Sequence, residues 1–190
     1  MLFRSRGRGL LELTRFVESR QQRLASTPSI WPVAGLITDR FGRRRSPFSG
    51  QAETHEGLDI SAPWGSPVRA AADGTPAFVG PLGSYGTVVF LRHGHGLATL
   101  YAHLGRTTAR PGQLVRRGQV IGVVGMTGRT TGPHLHYEIH LRGVPVNPLR
   151  YIVDPVEARR AVAALWDREV AGARLGAARP ERPADAPLPG

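Results

Sequence analysis

The 190-residue chain contains no cysteine, which excludes disulfides, thiolate metal sites and cysteine nucleophiles. It contains no lysine either, because all 25 basic residues are arginine. Chemistry that needs a lysine amine, such as a Schiff base or a biotin or lipoate linkage, is therefore excluded. No apolar run reaches the ~18 residues of a transmembrane helix. Acidic residues number only 14, which leaves a formal charge of +11. That balance suits a polyanionic partner: nucleic acid, an anionic membrane surface or a cell-wall polymer. The aromatic residues are few and do not interleave with arginine along β-like segments, so no nucleic-acid partner is expected.

What is present is a chain rich in turn formers, with 24 glycines and 16 prolines, and 41% hydrophobic residues. This composition supports one domain of short strands and tight turns with a real core, flanked by arms. Residues 1–27 read as a basic N-terminus followed by a helical arm. Residues 1–8 are irregular, and the helix occupies 9–25. Leu10, Leu13, Val17 and Leu24 fall at heptad spacing, as in an arm packed on the domain or the stub of a coiled coil that recruits a protein partner. Glu12 and Arg15 interrupt the leucines, so no secretory signal is read. Residues 28–153 form the β domain, with runs at Thr87–Arg92, Leu97–Leu104, Val120–Val124 and His134–Leu141. Asp154, Pro155 and Glu157 give the cap of a second helix over 154–175. A Pro/Ala-rich tail, 176–190, is expected to be disordered.

All seven histidines lie between His55 and His140. His55 and Asp59, four apart with Gly57 between them, offer a ring nitrogen and a carboxylate oxygen, a donor pair suited to Zn²⁺. The segment His134–Leu141 alternates strictly. His134, His136, Glu138 and His140 share one strand face, and Leu135, Tyr137, Ile139 and Leu141 share the core face. His134 and His136 are about 6.6 Å apart along such a strand and can reach one site, whereas His140 is about 13 Å from His136 and reads as a surface residue. Glu138 reads either as an orienting carboxylate or as a surface group. His103, at the end of Tyr101-Ala102-His103-Leu104, can carry protons. His93-Gly94-His95-Gly96 reads as a structural hairpin turn. Two histidines and an aspartate leave one tetrahedral position open, the layout of a catalytic zinc. Spacing does not decide between His134 and His136 as the ligand.

His55-x-Gly57-x-Asp59, Tyr101-Ala102-His103-Leu104 and Gly132-Pro133-His134-Leu135-His136 occur in that order. Together they resemble the lysostaphin/LytM-type zinc metallopeptidases, the M23 family. Leu36–Phe41 and Pro47-Phe48-Ser49-Gly50 resemble that family's lead-in segment. The resemblance implies a mainly β fold, an antiparallel sheet of the duplicated-hybrid-motif kind with a groove across it, here flanked by helical arms. It implies His55, Asp59 and His136 as Zn²⁺ ligands and His103 and His134 as catalytic histidines. It also implies cleavage of peptide cross-links in bacterial peptidoglycan, at Gly-Gly or at D-Ala–diamino-acid bonds, in the cell envelope, the periplasm or outside the cell. Some relatives of this fold lack the ligands and regulate other wall hydrolases, and that is the alternative function. Pro76 and Met126 depart from the family's usual residues. Pro76 predicts an edge or broken strand. Val68–Gly80 and Pro111–Ile121 also resemble the hairpins of biotinyl and lipoyl carriers, but those domains need the lysine that is missing here.

Overall fold

In the computed structural model, residues 3–46 and 49–153 are described, together with 160, 163 and 164. Among the described residues, the helix α1 (Phe3–Ala25) precedes twelve strands. These are β1 (Leu36–Asp39), β2 (Gly42–Arg45), β3 (Ala52–His55), β4 (Leu58–Ser61), β5 (Pro67–Arg69), β6 (Thr75–Pro81), β7 (Thr87–Gly94), β8 (Leu97–Ala102), β9 (Leu104–Thr107), β10 (Val120–Val124), β11 (His134–Leu141) and β12 (Val144–Val146). The fold is mainly antiparallel β, as the sequence predicts. Seven strands make the large sheet, in the order β1-β4-β11-β8-β7-β6, with β12 also paired to β11. A three-stranded sheet has the order β5-β10-β9, and β2 pairs with β3 in a separate ribbon.

Alternation builds the core. On β11, Leu135, Tyr137 and Ile139 are fully buried. On β4, Leu58 and Ile60 do the same. They cluster with Val68, Ile121 and Val124 of the small sheet, so one apolar core joins the two sheets. Burial of each such aliphatic side chain contributes about 1.5–3 kcal/mol. The opposite face of β11 is left to His134, His136, Glu138 and His140, as its period of two requires.

Five details differ from the sequence reading or refine it. First, α1 begins at Phe3, so residues 3–8 are helical. Second, Leu13, Val17 and Leu24 are exposed, so α1 does not bury these three heptad positions on the β unit. Third, the run Leu97–Leu104 breaks at His103, which has φ 58, as the chain passes from the large sheet to the small one. Fourth, Pro76 lies on the edge strand β6, beside a register shift between Pro76 and Phe78, because proline cannot donate to a ladder. Leu141, assigned to the core face, is exposed at the strand's end. The helix expected over 154–175 and the tail 176–190 lie largely outside the described residues, as do Pro47 and Phe48. Among the described residues no helix is long and apolar enough to cross a membrane.

Candidate active site

The site is assembled by strand register. His136 on β11 stands directly opposite Asp59 on β4, and such cross-strand partners hold their Cβ atoms about 4.5–5.5 Å apart. His55 ends β3, and the turn through Glu56 and Gly57 folds it back onto the same point. Gly57 is required by space, because a Cβ there would lie 2.7 Å from the Tyr137 carbonyl oxygen and 2.8 Å from His136 Cε1. His55 and His136 are 4% and 7% exposed.

The three donor atoms form a small triangle. His136 Nδ1 is 2.7 Å from Asp59 Oδ1, His55 Nε2 is 3.2 Å from the same oxygen, and the two ring nitrogens are 3.1 Å apart. The far side of each ring fixes its tautomer. His55 Nδ1–H donates to the Arg40 carbonyl at 2.9 Å, which leaves a lone pair on Nε2. His136 Nε2–H donates to Glu138 Oε1 at 2.8 Å, which leaves a lone pair on Nδ1. Two imidazole lone pairs and a carboxylate oxygen at this spacing repel unless a positive charge lies among them. The edges approach the ~3.3 Å ligand–ligand separation of a tetrahedral ion with bonds of about 2.0–2.1 Å. The residues therefore fit a zinc-like cation, and they are the group with metal-ligand geometry found among the described residues.

Without a cation, a proton on His136 Nδ1 takes its place against Asp59. Burial pulls the His136 pKa down, but hydrogen bonds to Asp59 and Glu138 outweigh it and raise the ring to about 9. Burial pushes Asp59 up, but the His136 and His55 rings against it hold it well below the usual carboxylate range. Arg44 on β2 adds positive charge 3.6 Å from Asp59 Oδ2 and also pairs with Glu53 and Asp39.

His103 and His134 complete the cluster, with ring centroids 4.7 Å apart. His103 Nδ1–H donates to the Thr127 carbonyl at 2.8 Å, and His134 Nδ1–H to the Gly132 carbonyl at 2.9 Å. Each therefore keeps a bare Nε2, and that of His134 is 3.8 Å from Asp59 Oδ1. Burial, reinforced by the neighbouring histidines, lowers the His103 pKa to about 4 despite the Thr127 contact. The cleft above them holds about 300 Å³. Its walls include Arg44, Glu56, Tyr85, Arg129 and Thr130.

All five residues expected at the site meet here. Three others deserve correction or addition. Glu138 is not a surface group: it is 1% exposed and touches His136. His140 is no ligand, yet it is not a bystander, since its Nε2–H donates to Glu138 Oε2 at 2.6 Å. Tyr85 had no signal in the sequence, because it reaches the site from a 3₁₀ turn, Gly83–Tyr85. His93 is structural as expected, buried with Nδ1 2.7 Å from the Asp73 carbonyl.

A sequence profile described as Peptidase family M23 matches residues 53–148. The chain belongs to that family. Among curated relatives, it is 48% identical over 125 residues to the DD-carboxypeptidase/endopeptidase Mpg of Neisseria gonorrhoeae, covering 66% of this chain and 29% of that protein. It is 43% identical over 113 residues to the peptidoglycan DD-endopeptidase ShyC of Vibrio cholerae, covering 59% of this chain and 26% of that one. The chain thus spans under a third of the length of these relatives. Among solved structures, it superposes on a zinc-containing peptidase from Vibrio cholerae with TM-score 0.61 and 36% identity, over 65% of this chain and 39% of the other.

Proposed function

We propose that this M23 chain is a zinc-dependent endopeptidase that hydrolyses peptide cross-links of bacterial peptidoglycan at the cell envelope. The observation that carries the reading is the donor triangle of His55, Asp59 and His136 with two further bare ring nitrogens, on His103 and His134, beside it. His55 Nε2, Asp59 Oδ1 and His136 Nδ1 would hold the ion. When bound, a divalent cation in such a site acidifies water and polarises a carbonyl. The chain's own residues do the rest. His103 and His134, with their outer nitrogens committed to carbonyls, present Nε2 toward the cleft. One accepts the proton lost by the attacking water, and the other hydrogen-bonds the developing oxyanion or the departing amine. Arg44 and Asp59 balance charge at the floor. The names of the relatives favour a D-Ala–diamino-acid bond over Gly-Gly. The excess of arginine favours dwelling on an anionic wall, an attraction that salt weakens.

The test is purified protein with Zn²⁺ on isolated sacculi of known cross-link type, with released fragments identified by mass spectrometry. Fragments newly ended at the cross-linking D-Ala, lost in His136→Ala, support the proposal. Intact cross-links under all metal loadings refute it and leave the non-catalytic regulator.

A further inference from the structure

Below the ligand His136 lies a buried carboxylate with more partners than a lone orienting group needs. Glu138 Oε1 accepts from His136 Nε2–H at 2.8 Å and from the Tyr85 hydroxyl at 2.8 Å. Glu138 Oε2 accepts from His140 Nε2–H at 2.6 Å. The three donors lie on β11 and on the turn before β7, so they clamp one carboxylate from two directions. An almost wholly buried carboxylate is costly unless such partners stabilise its charge. Here three donors surround it.

Strand geometry explains the arrangement. Residues 136, 138 and 140 share one face, and each step is about 6.6 Å. One carboxylate spans successive imidazoles, so His140 reaches the metal ligand through Glu138 although it cannot reach the ion. Phe90 meets the His140 ring edge-on at 5.7 Å between centroids and limits its rotation. Tyr85 has a second connection. Its backbone carbonyl accepts from His103 N–H at 2.9 Å. Gly86, next in sequence, packs directly on Thr127, whose carbonyl fixes the His103 ring. One short turn thus braces both the ligand support and a candidate proton carrier.

We propose that Tyr85 and His140 are positioning residues: by saturating Glu138 they hold its Oε1 on His136 Nε2, and so make Nδ1 the atom His136 offers to a metal ion. The inference rests on the metal reading above. Without Glu138 the His136 ring loses the contact at Nε2 that turns Nδ1 into the triangle.

The test measures Zn²⁺ affinity by competition with a chromophoric chelator, together with the visible spectrum of the Co²⁺-loaded protein. Loss of supporting groups of this kind weakens metal binding by about 10–100-fold. Glu138→Ala is expected within that range, and His140→Ala and Tyr85→Phe at or below its lower end, each with an altered cobalt spectrum. Because Glu138→Ala also risks misfolding, His140 provides the decisive pair. His140→Gln retains an N–H donor of similar reach and is expected to restore affinity, whereas His140→Ala is not. Wild-type affinity and spectrum in both His140→Ala and Tyr85→Phe overturn the inference alone. Failure of the wild type to bind Zn²⁺ or Co²⁺ overturns the metal reading and this inference with it.

Discussion

Metal binding and proton binding compete for the same three atoms, and the competition has a calculable slope. In the metal-free fold His136 is held at about 9, because Asp59 and Glu138 face both of its nitrogens. A cation on Nδ1 must displace that proton. Below pH 9 each unit of acidification therefore weakens apparent Zn²⁺ affinity about tenfold, or about 1.4 kcal/mol, and the span from pH 8 to pH 6 amounts to about a hundredfold. Stability of the metal-free protein runs with the opposite sign. A raised imidazole pKa stabilises the fold fully below its unfolded value of 6.5, and this contribution is lost as pH rises through about 9. Its size is about 3 kcal/mol, shared with Asp59 and Glu138 and not additional to their shifts. The assay is chelator competition at pH 6, 7 and 8 at constant ionic strength. Calorimetry in two buffers of different ionisation enthalpy counts the protons released, and close to one is expected at pH 7. Affinity that stays flat from pH 8 to pH 6, or release of no proton, refutes the argument.

His103→Ala and His134→Ala should each lower kcat/KM on cross-linked muropeptides by about 10²–10⁴-fold, with Zn²⁺ affinity changed only a few-fold. Equal losses of both in chelator competition and turnover would place these histidines among the ligands. Gly57→Ala should weaken Zn²⁺ binding at least about tenfold, since the new methyl group meets the Tyr137 carbonyl oxygen at 2.7 Å and the His136 ring at 2.8 Å and such overpacking typically costs about 1–3 kcal/mol. Unchanged affinity would show that the turn yields. Leu135→Ala removes a fully buried core side chain and should cost about 2–5 kcal/mol in urea unfolding with chelator present. The double change Leu13→Ser, Phe16→Ser alters exposed positions on α1 and should shift unfolding by no more than about 0.5 kcal/mol each.

Much of this was legible in the order of residues. The alternation of His134–Leu141 placed three imidazoles and a carboxylate on one strand face, because successive Cβ atoms of a strand point to opposite sides whatever the surroundings. The turn residues between β-like runs gave the fold class, and the absence of cysteine and lysine limited the chemistry. Proline at position 76 marked an edge, because a missing N–H has the same consequence in any sheet. These are local rules.

Other features depended on which strands became neighbours. Spacing left His134 and His136 equivalent, and the pairing of β11 with β4 put His136 rather than His134 opposite Asp59. Glu138 read equally well as buried or exposed, because its fate was set by Tyr85, 53 residues away in sequence. The long apolar run ending at Leu104 concealed the left-handed residue His103, whose backbone is turned where the chain changes sheets. A sequence fixes the chemistry each residue can offer and, within one strand, the side on which it is offered. Convergence on a single point requires chain segments far apart in sequence to meet in register, and only the packed tertiary structure decides that.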